Sequence, residues 1–210
     1  MTIDAPAAVK HLTGSDPVMA RLVRTAGPFA MREDSGGAFQ ALARSIIFQQ
    51  LSGKAAGTIF GRFVGLFDPV QADGFPAPGQ VLEASEERLR SAGLSRQKIA
   101  AVRSLSEHFA SGELGPGVFA ELDDEDVIAS LTRVRGVGRW TAEMFLMFHL
   151  RRPDVLPVND VGINRALRTQ YGLASLPSPE EVLRIGEPWR PWATVACWYL
   201  WRSEDVPAPG

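Results

Sequence analysis

Apolar residues in this chain recur at helical spacing and not at the alternating spacing of a half-buried strand. Phe39, Leu42, Ala43, Ile46, Ile47 and Leu51 step by three and four along one helix face. With no strand pattern and no internal repeat, the chain reads as all-α with short connections. Further helices are expected from near Ser85 to Gly93 and from Ser95 to Gly112, where serines can cap and glycines can stop. Asp123, Asp124, Glu125 and Asp126 favour a helix N-terminus. The run "TAEMFLMFHL" (141–150) is apolar nearly all round, which places it in the interior. Helices resume at Asn159, near Pro179, and from about Pro191 to Arg202. Residues 68–80 read as a long surface loop, 35–37 as a separator after an N-terminal helix, and 204–210 as a loose tail.

Composition removes several classes. The single cysteine, Cys197, excludes an intrachain disulfide and an all-cysteine metal cluster, and fits a reducing, cytoplasmic setting. The N-terminus lacks the basic start and apolar core of a secretory signal, and no apolar run reaches the roughly 18 residues of a membrane span. His11, His108 and His149 are scattered, without metal spacing. A net charge of −2 argues against coating nucleic acid by bulk electrostatics. It leaves open a grip on a few phosphates by backbone amides.

Such a grip is legible in "LTRVRGVGRWTA" (131–142): a helix end, a Gly-Val-Gly hairpin, and a new helix. The glycines permit positive φ and keep side chains away from a ligand, Val134 and Val137 can pin the turn by burial, and the amides at the new helix N-terminus make an anion site. The bland alternative is a tight helix–helix turn that binds nothing. The string Gly136, Val137, Gly138, Arg139, Trp140, Thr141, Ala142 resembles the helix-hairpin-helix motif of the HhH-GPD superfamily of base-excision DNA glycosylases. It departs at Arg135, where the family usually has proline. The resemblance, which covers roughly residues 38–202, implies an all-α fold of two helical lobes with the active site in a cleft between them. It implies duplex DNA as partner, touched by Arg135, Gly136, Val137, Gly138 and Arg139. A Na⁺ or K⁺ ion on the backbone carbonyls of Thr132, Val134 and Val137 is implied at the hairpin. The family's iron–sulfur cluster is excluded for want of cysteines. The expected segments are 1–36, an N-terminal helical segment packing with the C-terminal lobe; 37–152, a central lobe with the hairpin; and 153–210, a C-terminal lobe carrying a catalytic aspartate.

In relatives that also nick the strand, the residue before Thr-Ala is a lysine that forms a Schiff base. Here it is Trp140, so the resemblance points to a monofunctional enzyme of the 3-methyladenine glycosylase II branch, acting as a monomer on duplex DNA containing alkylated bases. A cationic base such as 3-methyladenine or 7-methylguanine over an indole face gains about 0.5–2 kcal/mol. The alternative is that Trp140 is core.

"LPVNDVGINRAL" (156–167) sets Asn159 and Asp160 at a helix start, where either can be simply an N-cap. Chain reach allows more. A helix over 139–150 runs about 18 Å, and eight extended residues can return about 26 Å, bringing Asp160 back beside Trp140. By resemblance the catalytic aspartate lies three residues after a proline, and Pro157 to Asp160 matches; Asn159 departs from relatives with a second acid there. A carboxylate so placed would stabilise an oxocarbenium-like sugar and orient the attacking water.

"FQQLSGKAA" (48–56) resembles the family stretch whose apolar residue wedges into the duplex, which would be Leu51 after Gln50. Leu51 as the last core residue of its helix is the alternative. Trp192, with Trp189 as a second choice, would form another pocket wall, while Trp198 and Trp201 read as packing. Lys98 is a candidate phosphate contact, with a solvated surface charge as the alternative. A bifunctional glycosylase/lyase would need a lysine at 140, and a non-enzymatic DNA-binding module would not need Trp140 and Asp160 together.

Overall fold

The computed structural model describes residues 3–31, 36–68 and 74–204, and every regular element among them is helical. In chain order these are α1 (Ala5–Ser15), α2 (Pro17–Ala26), α3 (Ala38–Phe48), α4 (Gly53–Val64), α5 (Pro78–Glu83), α6 (Glu86–Ser91) and α7 (Arg96–Ala110). There follow α8 (Pro116–Glu121), α9 (Asp124–Thr132), α10 (Arg139–Phe148), α11 (Val161–Tyr171), α12 (Pro179–Gly186), a 3-10 turn (Glu187–Trp189) and α13 (Ala193–Glu204). The chain forms two compact units, one from Met1–Glu33 with Leu146–Gly210 and one from Asp34–Phe145. The division falls inside α10, whereas the sequence reading places it after residue 152.

Caps set most helix limits. The side chains of Ser85, Ser95 and Asp123 accept from the third amide of α6, α7 and α9 respectively. Gly93 and Gly112 leave α6 and α7 at φ of +98° and +78°, as stop signals should. The N-terminal segment is two helices, because Pro17 cannot continue α1 and the Asp16 carboxylate caps α2. The first helix of the second unit, α3, stops at Phe48, three residues short of Leu51, where Gln50 takes a φ of 57°. A turn of helix, α5, begins at Pro78 inside the stretch read as loop. Residues 69–73 of that stretch, 32–35 around the separator, and 205–210 of the tail lie outside the described residues.

In the 34–145 unit, α7 packs on α3 and α5. Phenylalanines fill the space between: Phe39 lies 5.6 Å from Phe75 and 5.2 Å from Phe109, and Phe119 lies 5.1 Å from Phe145. In the other unit α13 packs on α2 and α11, burying Met19, Ile163, Leu167 and Leu200 completely. Each such burial contributes about 1.5–3 kcal/mol. A polar clamp runs through this core. Asp16 Oδ1 accepts the amides of Val18 (2.8 Å) and Met19 (3.2 Å), while Oδ2 accepts the Tyr171 hydroxyl (2.5 Å) and the Trp189 indole N–H (2.9 Å). Burial first, and the Asp16 carboxylate second, push the Tyr171 phenol above its ordinary pKa, so it remains the donor. Among the described residues no helix is long and apolar enough to cross a membrane.

Candidate functional site

The hairpin between α9 and α10 is pinned from within and from the side. Val134 and Val137 are buried, and the Val137 amide donates to the Val134 carbonyl at 3.1 Å. Gly136 has φ +79°, and a Cβ there would meet the Ala101 methyl of α7 at 3.2 Å, so both backbone conformation and close approach require glycine. The Arg135 amide donates to Ser104 Oγ of α7 at 3.2 Å. The exposed amides of Gly136 and Gly138 donate to nothing among the described residues, which leaves two donors at the N-terminus of α10. The guanidinium of Arg139, read as a DNA contact, bonds Glu125 bidentately and Glu143 at 3.0 Å. Glu143 is buried, and the arginine answers its charge. The hydrogen bonds from Arg139 hold the Glu125 carboxyl below its usual range.

Trp140, in the first turn of α10, is 50% exposed. With Arg44, Ser45, Phe48, Gln49, Gln50, Thr141 and Met144 it lines a cavity of about 510 Å³. It is a wall of that cavity and not a core residue. The Arg44 guanidinium sits over the Phe48 ring, 4.2 Å from its centroid, on the same lining. A second cavity of about 580 Å³ shares Gln49 and Gln50 with the first and includes Leu51, Lys98, Arg135 and Gly136 in its lining. Leu51 stands outside α3 and is 39% exposed. Lys98, half-buried, turns its ammonium onto the backbone at the end of α3. Its Nζ donates to the carbonyls of Ile47 (2.5 Å) and Gln49 (2.9 Å), and burial pushes its pKa below the ordinary lysine value. The side chain read as a candidate phosphate contact therefore bonds the end of α3 through two of its three donors.

Asp160 belongs to the other unit and is 6% exposed. It is the N-cap of α11: Oδ1 accepts the Ile163 amide at 2.8 Å. The same oxygen accepts the indole N–H of Trp201 at 2.9 Å. This second bond was not legible in the sequence, which casts Trp201 as packing. Trp201 also stacks on Phe148 at 5.8 Å, and a Cβ on Gly162 would meet the indole at 3.1 Å. The segment leading to Asp160 is fixed by the same helix. Thr194 Oγ1 donates to the Arg152 carbonyl (2.7 Å) and accepts the Val155 amide (3.0 Å). Thr194 and Trp201 are seven residues apart, two turns along one face of α13. Asn159 is exposed.

Trp189 is corrected. It is fully buried with its N–H on Asp16, a core residue with no face for a ligand. Trp192 is half-buried, and the residues sharing its stripe, Val195, Ala196 and Tyr199, are buried in the core. No group of three or more histidine, cysteine or acidic side chains among the described residues is placed to hold a metal ion.

Similarity to known proteins extends over most of the chain. The family model described as HhH-GPD superfamily base excision DNA repair protein matches residues 43–191. DNA-3-methyladenine glycosylase 1 of Schizosaccharomyces pombe is 36% identical over 93% of this chain and 86% of its own length. Among solved structures, the Schizosaccharomyces pombe 3-methyladenine DNA glycosylase in complex with abasic DNA superimposes with a TM-score of 0.81 at 34% identity, covering 96% of this chain and 98% of that one. A DNA-3-methyladenine glycosidase of Bacillus halodurans superimposes with a TM-score of 0.82 at 38% identity, covering 97% and 91%.

Proposed function

The chain belongs to the HhH-GPD superfamily of base excision DNA repair proteins, and from that premise we propose that it is a monofunctional DNA-3-methyladenine glycosylase. It releases alkylated, cationic bases such as 3-methyladenine and 7-methylguanine from duplex DNA and leaves an abasic site. The observation that carries this reading is the half-exposed Trp140 on a cavity wall directly after the hairpin, where a strand-nicking relative would present an amine.

The roles follow from chemistry. The hairpin amides of Gly136 and Gly138 bind a phosphate of the flipped strand. A Na⁺ or K⁺ ion fits here, because the Val134 carbonyl accepts one N–H and keeps a second lone pair; with the carbonyls of Thr132 and Val137 it would offset phosphate charge. A methylated purine leaves as a neutral base once the C1′–N bond breaks and its electron pair passes to the ring. The Asp160 carboxylate stabilises the positive sugar, and water adds to C1′ as its proton is lost. The lesion must be flipped out of the stack first, at a few kcal/mol.

The direct test is release of free base from methylated duplex DNA, read by mass, with strand integrity followed on the same sample. Methylpurine release with intact strands is expected. Strand breaks without alkali would sink the monofunctional assignment, and binding without release would sink the enzymatic one.

A second expectation concerns Trp201. Replacement by phenylalanine keeps an aromatic ring against Phe148 but removes the N–H on Asp160, so single-turnover release is expected to slow by about tenfold, the value of one hydrogen bond to a charged group. Substrate affinity should change little. An unchanged rate constant would show that the indole serves packing alone.

A further inference from the structure

Three contacts converge on the turn between α3 and α4. The backbone there is costly to hold, since Gln50 adopts a φ of 57°, a region that non-glycine residues avoid unless their surroundings impose it. The last carbonyls of α3 would lack partners at a helix end. Lys98 Nζ supplies them, reaching Ile47 O at 2.5 Å and Gln49 O at 2.9 Å. From the other side the Gln49 side chain donates Nε2–H to the Gly136 carbonyl of the hairpin at 3.0 Å.

The same helix fixes both partners. Along α7, Lys98, Ala101 and Ser104 come three residues apart. Lys98 meets the end of α3, Ala101 abuts Gly136, and Ser104 accepts the Arg135 amide. The turn that presents Leu51 and the hairpin that grips phosphate are therefore registered on one rigid element. Leu51 itself is held by its amide bond to the Phe48 carbonyl, 3.3 Å, with its side chain exposed.

We propose that Lys98 and Gln49 are positioning residues that lock the Gln50–Leu51 turn to the hairpin, so that the phosphate grip places Leu51 in register to enter the duplex and hold a nucleotide flipped. The proposal rests on Leu51 being the wedge. It gives Lys98 a task inside the protein, through two carbonyls, and not on the DNA.

The experiment compares Lys98→Met, Lys98→Arg, Gln49→Ala, Leu51→Ala and the Lys98→Met/Leu51→Ala pair on a duplex with 2-aminopurine beside a lesion, whose fluorescence reports flipping without chemistry. Lys98→Met is expected to lower the flipped population about tenfold, with affinity for undamaged duplex and its salt slope unchanged. Lys98→Arg should fail likewise, because a planar fork cannot place one point charge on both carbonyls. The double variant should flip no worse than Leu51→Ala alone. If Lys98→Met melts early, Gln49→Ala removes the tie from its exposed side and carries the same comparison. A salt slope lower by about one in Lys98→Met and restored in Lys98→Arg identifies a phosphate contact and overturns the proposal. So does an additive loss in the double variant. Wild-type flipping by Leu51→Ala removes the wedge reading beneath it, and wild-type protein that flips but releases no base would count against the enzymatic assignment alone.

Discussion

Asp160→Asn is expected to slow base release by about 10²–10³-fold, roughly 3–4 kcal/mol of lost transition-state stabilisation, while leaving duplex binding in place. Asparagine is the informative replacement because Asp160 does two things. It caps α11 through Oδ1, and the same oxygen receives the Trp201 indole. Asparagine caps a helix as well as aspartate does and keeps an oxygen for both donors, so the local fold should survive. What disappears is the negative charge. Alanine would lose the cap, costing about 0.5–2 kcal/mol, and strand the half-buried indole N–H of Trp201, confusing chemistry with stability. Single-turnover release and an equilibrium titration on the same methylated duplex separate the two effects. A rate within a few-fold of wild type would reduce Asp160 to a capping residue and require another source of charge.

The largest expected loss of stability comes from Asp16→Ala. One carboxylate satisfies four donors: the Val18 and Met19 amides, the Tyr171 hydroxyl and the Trp189 indole. Removing it deletes the α2 cap, about 1 kcal/mol, and leaves the buried Trp189 indole and the half-buried Tyr171 hydroxyl unmatched at about 1–3 kcal/mol each. The sum is roughly 3–7 kcal/mol, or about 15 °C in Tm for a chain of this size. Asp16→Asn keeps Oδ1 for the amides but turns an NH₂ toward Trp189, so it should fall between. Thermal melts of the three proteins decide the matter, and a Tm for Asp16→Ala within a degree of wild type would mean water replaces the carboxylate. Base release at permissive temperature should persist in both variants.

Features governed by neighbours in sequence were legible; those governed by distant ones were not. The serine caps of α6 and α7, their glycine stops, and the burial of Val134 and Val137 follow from local stereochemistry and periodicity. Helix α4 was hidden because Gly53, Gly57 and Gly61 each weaken a helix by about 1 kcal/mol relative to alanine, and only tertiary contacts recover it. The six-residue helices α5 and α8 are too short to show a period. Trp140 and Asp160 announce themselves as candidates by position beside a hairpin and a proline. Trp201 does not, because its partner is 41 residues away. Trp189 was misassigned for the same reason: an aromatic looks ligand-bound until the carboxylate of Asp16 is seen to occupy it. The bonds of Lys98 to the carbonyls of Ile47 and Gln49 were hidden likewise.

One unit draws on both ends of the chain while the other is continuous, and this sets an order on the ribosome. The Asp34–Phe145 stretch can bring its phenylalanines together as soon as it emerges, since the ring contacts of Phe39, Phe75, Phe109, Phe119 and Phe145 all lie within it. Helices α1 and α2 are synthesised before it, yet the helix they pack on, α13, follows more than a hundred residues later. At about 5–20 residues per second, that interval is roughly 10–30 s. During it two amphipathic segments, too short to hold a helix alone, leave Leu12, Met19 and Leu22 open to chaperones and to misassociation.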